Sequence, residues 1–176
     1  PGQLNFASSG NGSAAHLAME LFNMTAGVKM VHVPYKGGGP ALTDIIAGQM
    51  HMMSGPMIAA LPHVKSGRVR ALAVTTAQRV RGLPEVPAIA ESLPGYESSI
   101  WHGVLVPRGT PAAIVSRLNR EIGEILRMPE VQKRLDSEGA EPVGGTPEQF
   151  AALIRSDTAK YARLLKEVGL AGSGSH

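Results

Sequence analysis

Three times within the first 65 residues, the chain passes from a short β-type run into a glycine-containing turn and then into helical spacing. That order constrains the fold more than any other feature. Residues 3–9, QLNFASS, lead into Gly10, Asn11 and Gly12, after which Leu17, Leu21, Phe22 and Met24 keep a helical interval from Ser13 onward. Gly27 stands where a left-handed C′ residue would close that helix. Residues 28–35, VKMVHVPY, alternate and are rich in β-branched side chains, and Gly37, Gly38, Gly39 and Pro40 punctuate before a second helix at 41–47. Residues 49–53 read as a third strand, 57–65 as a third helix and 69–76, VRALAVTT, as a fourth, nearly apolar strand. Strands alternating with helices need crossover connections, so the expected fold class is α/β, a parallel-type sheet with helices on both faces.

The pattern then changes. Residues 77–100 hold Gly82, Pro84, Pro87, Pro94 and Gly95, which break any long helix, but also Val86, Ile89 and Leu93, which predict a packed connecting loop. Residues 101–107, WHGVLVP, read as a strand opened by the single Trp, placed to anchor a change of lobe. Thr110 as N-cap and Pro111 at the first helical position predict a long amphipathic helix to about Met128, followed by a shorter one from Pro129. Residues 141–143 fit a short strand. Thr146, Pro147 and Glu148 open a last helix to about Val168, with Phe150, Leu153, Ile154, Tyr161, Leu164 and Leu165 on one stripe. Residues 1–100 therefore form one α/β lobe, and 101–170 add one strand and three helices, too few strands for a second sheet. Residues 171–176 read as a linker or tag-like tail, GSGSH from Gly172.

Composition removes several function classes. Hydrophobic residues are 43% and charged residues 18%, the balance of a globular chain rather than a disordered one. The net charge of +3 is spread evenly, with 7 basic and 5 acidic residues before Trp101, and aromatics are only 4%, so no nucleic-acid surface is expected. There is no cysteine, which excludes disulfides and thiolate sites. His16, His32, His51, His63 and His102 lack metal-ligand spacing, so neither a metal nor a cofactor is expected. Met30, Met50, Met52, Met53 and Met57 read as core filling in a chain short of aromatics.

The strongest local signal is Ser8-Ser9-Gly10-Asn11-Gly12-Ser13 between strand and helix. Small residues admit a ligand to the backbone, and the free N–H groups of a helix start attract anions, which suits a carboxylate or phosphate. The same string also fits a plain βα turn with a serine cap. Gly10-x-Gly12-x-x-Ala15 matches a dinucleotide fingerprint, but Tyr35 and Lys36 occupy the place of the acidic ribose clamp, leaving an NADP-binding reductase-like domain as the alternative. Lys36-Gly37-Gly38-Gly39 lacks the following Gly-Lys-Ser/Thr of a nucleotide-hydrolysing loop. His16, one turn beyond Ser13, either points toward the same pocket or is a polar helix-face histidine. No carboxylate is evidently placed to orient it as a base, so no catalytic residue is assigned.

The strings LNFASSGNGSAAHLAMELF, VHVPYKGGGPALTDIIAGQ, LPHVKSGRVRALAVTT and LPGYESSIWHGVLVPRGTP, closing with EGAEPVGGTPEQF, follow one another in a recognisable order. Through them the chain resembles the Bug receptors, the periplasmic solute-binding proteins of tripartite tricarboxylate transporters. The resemblance implies a type II periplasmic-binding-protein lobe without enzymatic activity. It would capture a small organic carboxylate and pass it to the membrane components of the transporter. It also implies a fragment lacking most of the first lobe, with 101–170 returning to that lobe and exposed edges that favour self-association or element swapping. Carried over residue by residue, the ligand wall comprises Ser8, Ser9, Gly10, Asn11, Gly12, Ser13 and His16, with Tyr35 and the loop Ser54-Gly55-Pro56 lining the same cleft. Relatives often carry an Asp at the position of Gly55. Its absence implies a preference for acids without an ammonium group.

Overall fold

The computed structural model describes residues 2–169. In chain order its elements are β1 (Asn5–Ser8), α1 (Ala14–Ala26), β2 (Val31–Pro34), α2 (Gly38–Ile46), β3 (Met52–Met53), α3 (Met57–Lys65), α4 (Ala112–Arg127), α5 (Pro129–Glu138) and α6 (Pro147–Glu167). The three strands are parallel in the order β2-β1-β3, with Phe6 opposite both His32 and Met52. Because β1 is central and successive side chains alternate, it is buried on both faces. Phe6 packs with Met19 and Met30 on the α1 side, and Ala7 packs with Ala41 and Met50 on the α2 side. The expected two-sided α/β sheet is therefore present, and the methionines are its filling.

Ser13 caps α1 by accepting from the His16 N–H, and Gly27 closes it at φ 64°, a left-handed position that glycine adopts without a Cβ penalty. Thr146 and Gln149 form a reciprocal capping box at the start of α6. The expected cap of α4 is displaced by one residue. Pro111 is the N-cap, while Thr110 Oγ1 donates to the Pro107 carbonyl at 2.8 Å. The second helix starts at Gly38, before the proline, because a proline is tolerated in the first helical turn. The third strand is only Met52–Met53.

Three expected strands do not form. Residues 69–76 make one isolated parallel bridge, Val74 with Ala88, and Leu72 remains 54% exposed. Residues 101–107 are extended but pair with no strand, leaving Val104 66% and Leu105 76% exposed; residues 141–143 are likewise unpaired. Alternation prepares a segment for a sheet, but a strand exists only with a continued ladder, and among the described residues these segments make no more than that single bridge. Trp101 instead meets Phe150 edge-on at 5.2 Å and donates its indole N–H to Asp157 Oδ2 at 2.6 Å, which ties the segment to α6.

The other end of α6 packs on the lobe. Leu164 joins Leu21 and Tyr96 in a cluster, and the buried Tyr96 hydroxyl donates to the Ala18 carbonyl at 3.0 Å. The loop 77–100 is packed as expected, with Leu83 and Val86 buried against Leu61. Arg79 straps it by forking onto both carboxylate oxygens of Glu91 at 2.8 Å. Residues 171–176 lie outside the described residues.

Candidate functional site

A parallel sheet places every β-to-α loop at the carboxyl ends of its strands, and α1 and α2 leave on opposite faces. Open α/β sheets bind ligands at such a divergence. The loops after β1, β2 and β3 are Ser9–Ser13, Tyr35–Gly37 and Ser54–Pro56, so the residues singled out in the sequence share one rim of the sheet.

The β1–α1 turn is held from below. Ser8 is fully buried; its Oγ accepts from the Gly10 N–H at 3.1 Å and lies 2.6 Å from His32 Nε2. Gly10 has φ 134° and its Cβ position would lie 3.4 Å from the Tyr35 carbonyl, while Gly12 has φ 71° with no neighbour within 4 Å. Glycine at the first position serves a close approach of two loops, and at the second only the backbone conformation. The Ser13 N–H donates to the Gly10 carbonyl at 3.2 Å.

Three of the turn's N–H groups, those of Gly10, Gly12 and Ser13, are already bound. The Gly12 N–H donates to His16 Nδ1 at 3.0 Å, so it is not free for an anion as the sequence suggests. The N–H groups and side chains of Ser9 and Asn11 make no hydrogen bond among the described residues, and the Ser13 hydroxyl, which accepts from His16 N, keeps its own proton to donate. Asn11 is exposed, and Ser9 and Ser13 are half-buried beside it.

His16 is 3% exposed, which sets aside the helix-face alternative and puts its ring beneath the turn rather than on the open rim. Its ring stacks on His32 with centroids 3.7 Å apart and planes 10° from parallel, and His32 stacks in turn on Phe6 at 4.9 Å. Burial pushes His32 down to about 4, with His16 beside it adding to the effect. Burial also lowers His16, opposed in part by Glu20, whose carboxylate lies 3.7 Å from His16 Nε2. Sequence reasoning missed His32 as part of this assembly. The signal is the β1–β2 register, which sets His32 beside Phe6 on the face that α1 covers.

On the other side of the rim, the half-buried Tyr35 donates its hydroxyl to Asp44 Oδ2 at 2.7 Å. Gly55 is exposed. An apolar trough lies elsewhere, lined by Met57, Leu72, Leu105, Leu118 and Phe150, and it meets the rim at Ser54–Pro56. The rim is an open polar wall. Among the described residues no cluster of three or more metal-ligating side chains occurs, and no helix is long and apolar enough to cross a membrane.

The comparisons with known proteins agree with one another. The chain is 43% identical over 172 residues to a Pseudomonas sp. protein from the tcbD-tcbE intergenic region, covering 97% of this chain and 51% of that one. It is 38% identical over 170 residues to protein BugT of Bordetella pertussis, covering 96% and 52%. It thus spans about half the length of these curated relatives. Among solved structures, an R. palustris protein with adipate superposes with TM-score 0.85 at 38% identity, over 96% of this chain and 57% of that one. MatC from Rhodopseudomonas palustris with bound malate gives 0.75 at 32%, over 93% and 57%, and the periplasmic binding protein BugD gives 0.79 at 33%, over 96% and 57%. The neighbours are receptors rather than enzymes, which leaves the NADP-dependent reductase alternative without support. With residues 1–170 matched by the model of the tripartite tricarboxylate transporter family receptor, the chain belongs to that receptor family.

Proposed function

We propose that this chain carries one wall of the ligand cleft of a periplasmic receptor that captures a small organic carboxylate for a tripartite transporter. The observation that carries this reading is the rim itself. Ser9, Asn11 and Ser13 hold unspent donors at the carboxyl ends of parallel strands, beside the first turn of α1, where the helix dipole favours an anion. Adipate and malate, bound in two structural neighbours, are dicarboxylates of a size that one such wall would hold by one end. Residues 1–100 act as the ligand-binding lobe, and 101–170 return toward the half of the relatives' length that this chain does not span. Delivery to membrane components of the transporter is part of this proposal, and the family match supports it.

Titration of the ¹⁵N-labelled chain with adipate tests the assignment. Amide shifts are expected at Ser9, Asn11, Ser13, Tyr35 and Ser54, with weak affinity because a single open wall leaves water competing for each hydrogen bond. Shifts confined to the apolar trough, or none at the rim at millimolar adipate, would overturn it.

A further inference from the structure

The stacked pair His16–His32 sits beneath the turn that the proposed ligand would touch, and its hydrogen bonds fix which protons it can hold. The Gly12 N–H donates to His16 Nδ1, so that nitrogen is bare and the ring's proton resides on Nε2, toward Glu20. His32 Nε2 is occupied by Ser8 Oγ, the same hydroxyl that accepts from the Gly10 N–H. Two glycine N–H groups of one turn are therefore anchored on this buried assembly, Gly12 on His16 itself and Gly10 on the Ser8 hydroxyl, which also donates to the Gly10 carbonyl and touches His32. We propose that His16 is a positioning residue that holds the Gly10–Ser13 turn only while its own ring is neutral, so that His16, stacked on His32, forms a proton-operated latch under the carboxylate wall.

The chemistry of the latch is local. A proton added to His16 must go on Nδ1, the acceptor of the Gly12 N–H, and two N–H groups would then face each other where one hydrogen bond stood. The new charge would also lie against the His32 ring at 3.7 Å. Among the described residues, Glu20 on α1 is the one charged group set against the pair; β1 contributes only Phe6 and Ser8, and β2 only His32 itself. Glu20 favours the imidazolium and makes His16 the first ring to charge, while the more strongly depressed His32 resists a second proton. Releasing Gly12 frees the turn to leave the conformation that sets Ser9, Asn11 and Ser13 at the rim.

The latch can be read without any ligand, which separates its failure from failure of the carboxylate reading on which its functional meaning rests. In the 176-residue chain, the Gly12 amide proton is expected to move upfield on acidification from pH 7.5 to 5, with the same midpoint as the His16 ring resonances. His16→Asn keeps an acceptor near the Nδ1 position but cannot titrate, so the Gly12 resonance should stay at its neutral-pH place throughout. His16→Ala should show the released resonance at every pH. Adipate affinity is expected to fall by about fivefold between pH 7.5 and 5.5 in the wild type and to be flat in His16→Asn. A Gly12 amide that does not titrate, or one that titrates equally in His16→Asn, would overturn the latch. If the amide titrates as expected but adipate binds at neither pH, the latch stands and the carboxylate reading falls.

Discussion

The Tyr35 hydroxyl donates to Asp44 Oδ2 at 2.7 Å, joining the loop after β2 to the last turn of α2. The hydrogen bond to Asp44, with burial and the nearby charge, raises the phenol above its ordinary 10, since deprotonation would set two anions side by side. The phenolic proton is thus committed, and Tyr35 presents oxygen lone pairs and a neighbouring negative charge to the rim. Asp44→Asn removes that charge while its amide oxygen can still accept the hydroxyl proton. It should tighten adipate binding about threefold to tenfold, the scale of one screened like charge. In difference titration against Tyr35→Phe, it should also return the Tyr35 absorbance change toward pH 10. Weaker binding in Asp44→Asn would place Tyr35 outside the ligand's reach.

Gly12 is expected to resist substitution for backbone reasons alone. Its Cβ position is open, but φ 71° is a left-handed angle that a β-branched residue strongly disfavours. Gly12→Ala should cost about 1 kcal/mol in urea unfolding, and Gly12→Val about 2–3 kcal/mol together with loss of the rim shifts on adding adipate. Equal stability of wild type and Gly12→Val would show that the turn adopts another conformation in solution.

How much of this was legible in the sequence differs by element. The turn at Gly10–Ser13, its Ser13 cap and the closing Gly27 could be read because each follows from local backbone demands. Helices α3, α5 and α6 could be read from spacing and capping, including the exact span of Met57–Lys65. Residues 69–76 and 101–107 carry the alternation of strands yet form none, because pairing depends on a partner segment that local sequence does not contain. His32 was lost for a related reason. Nothing local joins it to His16, and the join needs the β1–β2 register and the docking of α1 on Phe6.

Acid should destabilise the lobe through the same imidazoles, and the sign follows from their burial. Both have folded values lowered from 6.5, so the unfolded chain binds more protons and stability rises with pH across this range. The contribution is complete above pH 6.5 and is lost as pH falls from there toward about 4, the value for His32. Discounted for its partial exposure, His32 should account for about 1 kcal/mol of lost stability at pH 5. Urea midpoints at pH 7.5 and 5.0 check this, and His32→Phe, which keeps a ring on Phe6 without a titratable group, should shrink the difference. An unchanged difference in that variant would assign the acid sensitivity to other groups.

The last expectation concerns Gly55 and the charge of the ligand. A buried ammonium without a carboxylate partner costs on the order of several kcal/mol and one added methylene contact returns about 0.8 kcal/mol, so charge outweighs shape in a closed cleft, and at this open wall the same preference is expected at a scale of about 1 kcal/mol. Gly55 stands at the β3–α3 loop, outside the left-handed region, and its Cβ position would lie 3.1 Å from the Met53 Cε methyl. That methyl ends a flexible side chain and can swing aside, so Gly55→Asp is sterically accessible and would place a carboxylate at the rim. The chain as it stands should bind adipate more tightly than its 2-amino analogue. Gly55→Asp should shift that preference toward the amino acid by about threefold to tenfold, the range expected for one charge pair at an open surface. Competition between the two acids, followed at the Ser9 and Ser54 amides, measures the ratio directly. Tighter binding of the amino acid by the wild type would mean that another group of the chain supplies the missing charge, and an unmoved ratio in Gly55→Asp would place that loop away from the ligand.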